Sequence, residues 1–233
     1  MQADHLALFI PSEGFLMKSP QHSWYLIFIL LMFAGYAVTR SYLGSLSSST
    51  FYATIRYNTA AMMFKDNSQL QRQRDNVLSA FYFISVGFYL MLLLERIQLK
   101  PFGYEGARLF LLASVILMVW YYLKSIILTV IGEIFKIQEL LKEFLYQGNA
   151  YNKLLGIVFL PLNFIFIYTT GIYNEIAFYL SLSILGIVLI SKYIRGVFFS
   201  LKKNVFNFYM FLYLWALEIV PLLLLYKWFM TSV

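Results

Sequence analysis

Six stretches of this chain are each long and apolar enough to cross a lipid bilayer, and that constrains the fold more than anything else in the sequence. The hydrocarbon layer is about 30 Å thick, so a spanning helix needs about 20 mostly apolar residues. Residues 24–39, 77–94, 107–128, 154–170, 176–194 and 205–230 meet that need. A β-barrel would instead show short segments alternating apolar and polar positions. Residues 25–33 are apolar at every position, and residues 109–117 at all but Ser114. The sequence therefore predicts an all-α integral membrane protein of six transmembrane helices.

Composition supports that reading. Of 233 residues, 61% are hydrophobic and 12% charged, whereas a soluble domain carries about 25% charged residues. No soluble core of this size hides so much apolar surface. The chain has no cysteine and two histidines, His5 and His22, both near the start. Disulfides, thiolate metal sites and histidine-based triads are thus not expected in the membrane body. No cofactor is expected.

The formal charge is +7. In a soluble chain that would raise nucleic acid as a partner. Here the basic residues read as cytoplasmic loops facing anionic lipid head groups, and no nucleic acid is expected. Thirteen of the eighteen Lys and Arg fall in the first, third and fifth connections. Those connections are predicted to be cytoplasmic, with both termini outside. Residues 1–22 lack the basic start and cleavage site of a signal peptide. They read as a retained exterior tail, and the whole chain as one membrane domain.

Two connections are long and amphipathic. The first, residues 41–76, opens on a serine-rich turn and closes on a polar run. In the third, Ile127, Val130, Ile134, Ile137, Leu141 and Phe144 recur at steps of three and four, with charges on the other side. That pattern predicts either a helix in the membrane interface or an extension of the third span, ended by Gly148-Asn149. The fold therefore carries one or two cytoplasmic interfacial helices. Trp24, Tyr25, Trp120, Tyr121, Tyr122, Tyr168, Tyr173, Tyr193, Tyr226 and Trp228 sit at span ends, as an aromatic belt does.

Glu218 is the sharpest candidate for chemistry. It lies halfway along the sixth span, three residues before Pro221. A mid-bilayer carboxylate is costly unless protonated, paired or facing a cavity. Asn163, beside Pro161 in the fourth span, falls at a similar depth. The two prolines are expected to kink their helices and free backbone carbonyls. Glu218, Asn163, Ser181 and Ser183 thus form a candidate intramembrane polar cluster, read either as an ion- or proton-handling site or as interhelical hydrogen bonding. Lys192, Arg195, Lys202 and Lys203 form a basic cytoplasmic rim with anionic lipid as its expected partner. Walker, Gly-x-Ser-x-Gly and His-Glu-x-x-His patterns do not occur in the sequence.

The closing stretch Asn207-Phe208-Tyr209-Met210-Phe211-Leu212-Tyr213-Leu214-Trp215-Ala216-Leu217-Glu218-Ile219-Val220-Pro221 resembles an uncharacterised family of multi-pass inner-membrane proteins from Bacteroidota, known as a domain of unknown function. Arg40, Asn58 and Leu160-Pro161-Leu162 support the likeness, which covers most of residues 23–230. It implies a setting, the bacterial inner membrane, and no activity. The leading expectation is a non-enzymatic subunit or scaffold packed against other envelope or secretion proteins. The alternatives are a small proton- or solute-coupled transporter subunit using Glu218 and Asn163, and a lipid-modifying enzyme using the basic rim.

Overall fold

The computed structural model describes residues 24–43, 54, 62–65, 69–99, 101–134, 136–169 and 171–202. Five long helices account for most of them: α1 (Trp24–Leu43), α2 (Gln69–Arg96), α3 (Ala107–Ile134), α4 (Gln138–Tyr168) and α5 (Ile172–Lys202). A single 3-10 turn, Pro101–Gly103, lies between α2 and α3. All five helices are long and apolar enough to cross a membrane. The sixth expected span, residues 205–230, lies outside the described residues. So do most of the first connection and the N-terminal tail.

Two helices are inner and three are outer. Within an apolar 18-residue window of each helix, 56% of residues are buried in α2 and α4, against 17% in α1 and 11% in each of α3 and α5. α2 packs on α3 and α4, α4 also on α3 and α5, and α1 lies across α2 and α4. The outward faces of α3 and α5 are rows of exposed Leu, Ile and Val. In water such faces would drive aggregation; in lipid they are solvated.

Close approach between the inner helices depends on glycine. A Cβ on Gly156 of α4 would sit 2.6 Å from Tyr82 Cα of α2. On the other side of α2, a Cβ on Gly87 would sit 2.2 Å from Ser114 Oγ of α3. Small residues let membrane helices approach until their backbones are in van der Waals contact, which replaces the missing hydrophobic drive. Aromatic rings fill the next layer. Phe28 of α1 stacks on Phe88 of α2 at 4.7 Å between centroids and meets Phe110 of α3 edge-on at 5.0 Å.

The third connection departs from expectation. No separate interfacial helix follows α3, and Gly148-Asn149 terminates nothing. α3 ends at Ile134 and α4 begins at Gln138, then runs unbroken through Gly148, Asn149 and Pro161 to Tyr168. The turn is a Schellman motif. Ile137 N–H donates to the Gly132 carbonyl at 2.9 Å, and Lys136 N–H to the Glu133 carbonyl at 3.3 Å. Lys136 holds the left-handed position, φ 55°. The amphipathic segment is therefore shared: Ile127, Val130 and Ile134 lie on an extension of the third span, Ile137 lies in the turn, and Leu141 and Phe144 lie on the start of the fourth span. α2 ends the same way, with Gln98 left-handed at φ 59° and Leu99 N–H donating to the Leu94 carbonyl at 3.0 Å.

The long helices overshoot the hydrocarbon. At 1.5 Å per residue, the 31 residues of α4 extend about 46 Å, and the 28 of α2 about 42 Å. The polar beginnings of both helices lie at one end of the bundle, the end where α3 and α5 finish.

Candidate functional site

Polar side chains inside the bundle gather at three levels along α2. Asp75 marks one end, Ser85 and Tyr89 the middle, and Arg96 the other end.

At the Arg96 end, two adjacent residues tie α2 to α1, to the residue before α3 and to α5. Glu95 accepts a hydrogen bond from the Tyr25 hydroxyl of α1 at 2.8 Å and another from Gly106 N–H, just before α3, at 3.2 Å. Tyr25 is therefore turned into the core, 4% exposed, and is not part of an aromatic belt. Arg96 donates to Asn174 Oδ1 and to Glu175 Oε1, each at 2.5 Å, at the start of α5. Its guanidinium lies 4.4 Å from the Phe178 ring centre. Asn174 in turn donates to the Phe166 carbonyl near the end of α4, at 2.8 Å. In the sequence this pair reads only as the polar stop of the second span.

The middle level contains two of the expected cluster residues. Asn163 is buried, and its Nδ2 donates to the Ser85 carbonyl at 2.9 Å. One turn further along α2, the Tyr89 hydroxyl meets Ser181 Oγ at 2.8 Å. Ser181 donates onward to the Phe178 carbonyl at 2.7 Å, which leaves Tyr89 as the donor between them. Asn163 of α4 and Ser181 of α5 are thus brought to the same helix. Ser183 is on the exposed side of α5, because two residues turn a helix through about 200°. Pro161 faces outward, and α4 continues on both sides of it. Glu218 and Pro221 lie outside the described residues. Asn163 Oδ1, Ser85 Oγ and Ser114 Oγ are buried without hydrogen-bond partners.

The third level lies at the opposite end. Lys153 of α4, 5% exposed, pairs with Asp75 of α2 at 2.5 Å. Its Nζ lies 5.1 Å from the Tyr146 ring centre. Beside it, the Tyr151 hydroxyl donates to the Thr54 carbonyl at 3.1 Å. Arg195 of α5 reaches the same carbonyl and lies within 3.4 Å of the Tyr151 hydroxyl, both through Nη1. Of the expected basic rim, Arg195 thus faces the bundle, and Lys192 passes close to Gly148 of α4. The side chain of Lys202 and all of Lys203 lie outside the described residues. Among the described residues, no three His, Asp or Glu side chains gather where a metal ion would fit.

Each level joins helices through hydrogen bonds or ion pairs between side chains and neighbouring helices, while Asn163 Oδ1, Ser85 Oγ and two of the Arg195 nitrogens are left without partners. Such contacts lock helix positions, each typically worth about 1 kcal/mol in a membrane bundle.

A family model described as a domain of unknown function, DUF4271, matches residues 23–229. The chain belongs to the DUF4271 family. The match spans all five described helices and extends over the expected sixth span, so the family is defined by the whole bundle. Neither the curated proteins nor the solved structures contain a match to this chain.

Proposed function

We propose that this DUF4271 protein is a non-enzymatic multi-pass subunit, a helical scaffold that packs against other envelope or secretion proteins in the inner membrane of a member of the Bacteroidota. One observation carries the reading: Glu95 and Arg96 together bind α1, α3 and α5 to α2. Polar residues at that position hold helices in fixed relation, as a scaffold requires. The overshooting starts of α2 and α4 offer a helical surface beyond the lipid on the side rich in Lys and Arg. By charge distribution that side is cytoplasmic, and both termini are periplasmic.

Purification in mild detergent followed by mass spectrometry tests the reading. The expected result is a fixed set of membrane or envelope proteins in constant ratio to this chain. A lone monomer that carries no protein partner would refute it.

A second reading rests on a specific feature of the middle level. Asn163 Oδ1 and Ser85 Oγ are buried and unpartnered, and a buried polar atom in that state calls for an explanation, such as an ordered water, an ion or a functional role. With Glu218 in the sixth span, they would serve a small proton- or solute-coupled transporter subunit. Glu218→Gln separates the two readings: a transporter loses flux at unchanged expression, whereas a scaffold keeps its partners.

A further inference from the structure

We infer that the sixth span, residues 205–230, returns antiparallel along α5 and that its Glu218 is the counterion of Arg195. The inference goes beyond the scaffold reading: it names the segment that α5 receives and the side chains that hold it.

Arg195 lacks an anion. Its Nη1 is engaged by the Thr54 carbonyl and the Tyr151 hydroxyl. Nε and Nη2 are buried and have no hydrogen-bond partner. A buried cation with two unused donors is costly unless an anion completes it, and these two parallel donors match the oxygens of a carboxylate. Enclosure by protein shuts out lipid and bulk solvent, so the acid has to be a side chain. The chain has eleven Asp and Glu. Asp75 serves Lys153, Glu175 serves Arg96, and Glu95 accepts from Tyr25 and Gly106. Glu143 accepts from Gln147. Glu133 and Glu139 are exposed at the turn between α3 and α4, and Glu105 is exposed at the other end of the bundle. Asp4 and Glu13 precede α1, whose start also lies at that other end. Asp66 and Glu218 remain. Asp66 sits in a polar run beside Lys65, whereas Glu218 is flanked by apolar residues and needs a cation within the bilayer.

Register supplies the match. α5 ends at Lys202, and the expected span opens at Val205, so two residues join them. A connection that short makes consecutive helices antiparallel neighbours. Glu218 is thirteen residues into the span, and thirteen residues before Lys202 is Leu189. The packing of α4 on α5 brings Tyr151 to the same depth. Gly196 passes Phe144, and Lys192 passes Gly148. The step is four residues on each helix, so Tyr151, three beyond Gly148, faces Leu189, three before Lys192. Arg195 reaches back to the Tyr151 hydroxyl, because helical side chains lean toward the N-terminus of their own helix. On a helix of opposite direction Glu218 leans the other way, and the guanidinium and carboxylate converge. Asn163 is twelve residues beyond Tyr151, about 18 Å deeper. The pair therefore separates Glu218 from the middle level and counts against a site built from Glu218 and Asn163 together.

The test uses the full-length protein in detergent. Arg195→Met and Glu218→Leu are each expected to lower the melting temperature by about 10 °C, because each strands a buried charge. The double variant is expected to recover most of that loss. Losses that add in the double variant overturn the pair. Coupling of Arg195→Met to Asp66→Leu instead would assign the arginine to Asp66 and also overturn it. The absence of native cysteine allows a second measurement with both charges in place. Leu217→Cys is expected to form a disulfide with Leu189→Cys, Ile190→Cys or Ser191→Cys, and not with Leu180→Cys, which lies near the depth of Asn163. Cross-linking with Leu180→Cys alone, or with none of the four, overturns the register and the pair with it. Should the charge variants fail to fold, the cross-links decide alone. Protein partners are read in a separate purification, so loss of the pair leaves the scaffold reading standing.

Discussion

Lys153 Nζ lies 2.5 Å from Asp75 Oδ1 and joins the two inner helices at the end where both overshoot the bilayer. α2 and α4 run parallel: Asn163, ten residues beyond Lys153, meets Ser85, ten residues beyond Asp75. The pair thus sets the register from which the middle level follows.

Breaking that pair should be costly. Lys153→Met leaves Asp75 without its cation in a largely enclosed place, and the bundle should lose about 3 kcal/mol. The double variant Lys153→Met with Asp75→Leu should recover most of the loss, since a well-packed apolar pair replaces a buried ion pair at little net cost. Unfolding of the four proteins of this cycle in detergent gives the coupling. Additive losses would show that the two side chains do not interact.

The sequence made the cores of the spans legible because an apolar run of that length admits no other solvent. It did not reveal how the helices sit against one another. Gly156 carries no mark distinguishing it from Gly186, yet a Cβ on the first would strike Tyr82 backbone, whereas a Cβ on the second meets nothing within 4 Å. Asn163 and Ser181 were readable as buried polar residues in apolar runs. Ser183 was misplaced because, without a known buried face, two nearby serines look equivalent. Glu95 and Arg96 were readable as a span end, but their partners are about eighty residues away on α5 and seventy on α1. No local pattern encodes such contacts.

The contrast between those glycines gives the second prediction. Gly156→Ala should push α2 and α4 apart and destabilise the bundle by about 2 kcal/mol. Gly186→Ala should be neutral or slightly stabilising, since it enters open space on a helix that favours alanine. Thermal melts of the two variants against wild type compare them directly. Equal behaviour would mean that the close approach of α2 and α4 is not tight.

The third prediction concerns the turn that the sequence hid. Gly148-Asn149 has the residues of a helix stop, whereas the actual stop uses Lys136 in a left-handed conformation. An L side chain there costs about 1 kcal/mol, and glycine removes most of that strain. Lys136→Gly should therefore raise stability, and Gln98→Gly at the end of α2 should act likewise. Gly148→Ala, inside α4, should be tolerated, because the new methyl group would meet only the flexible Lys192 side chain, its Cε at 3.4 Å. Melting temperatures that fall for both left-handed positions would contradict the Schellman geometry.

The fourth prediction concerns sidedness, and the absence of native cysteine makes it simple to test. The described helices alternate in direction, so the loop at Tyr104 and the turn before Glu139 lie at opposite ends of the bundle. Tyr104 and Glu139 are both exposed. Under the proposed topology, Glu139 lies on the cytoplasmic side. In intact cells with a permeabilised outer membrane, Tyr104→Cys should react with a membrane-impermeant maleimide. Glu139→Cys should react only after the inner membrane is opened. The reverse pattern would invert the topology. Labelling of both cysteines in intact cells would contradict a membrane-spanning α3.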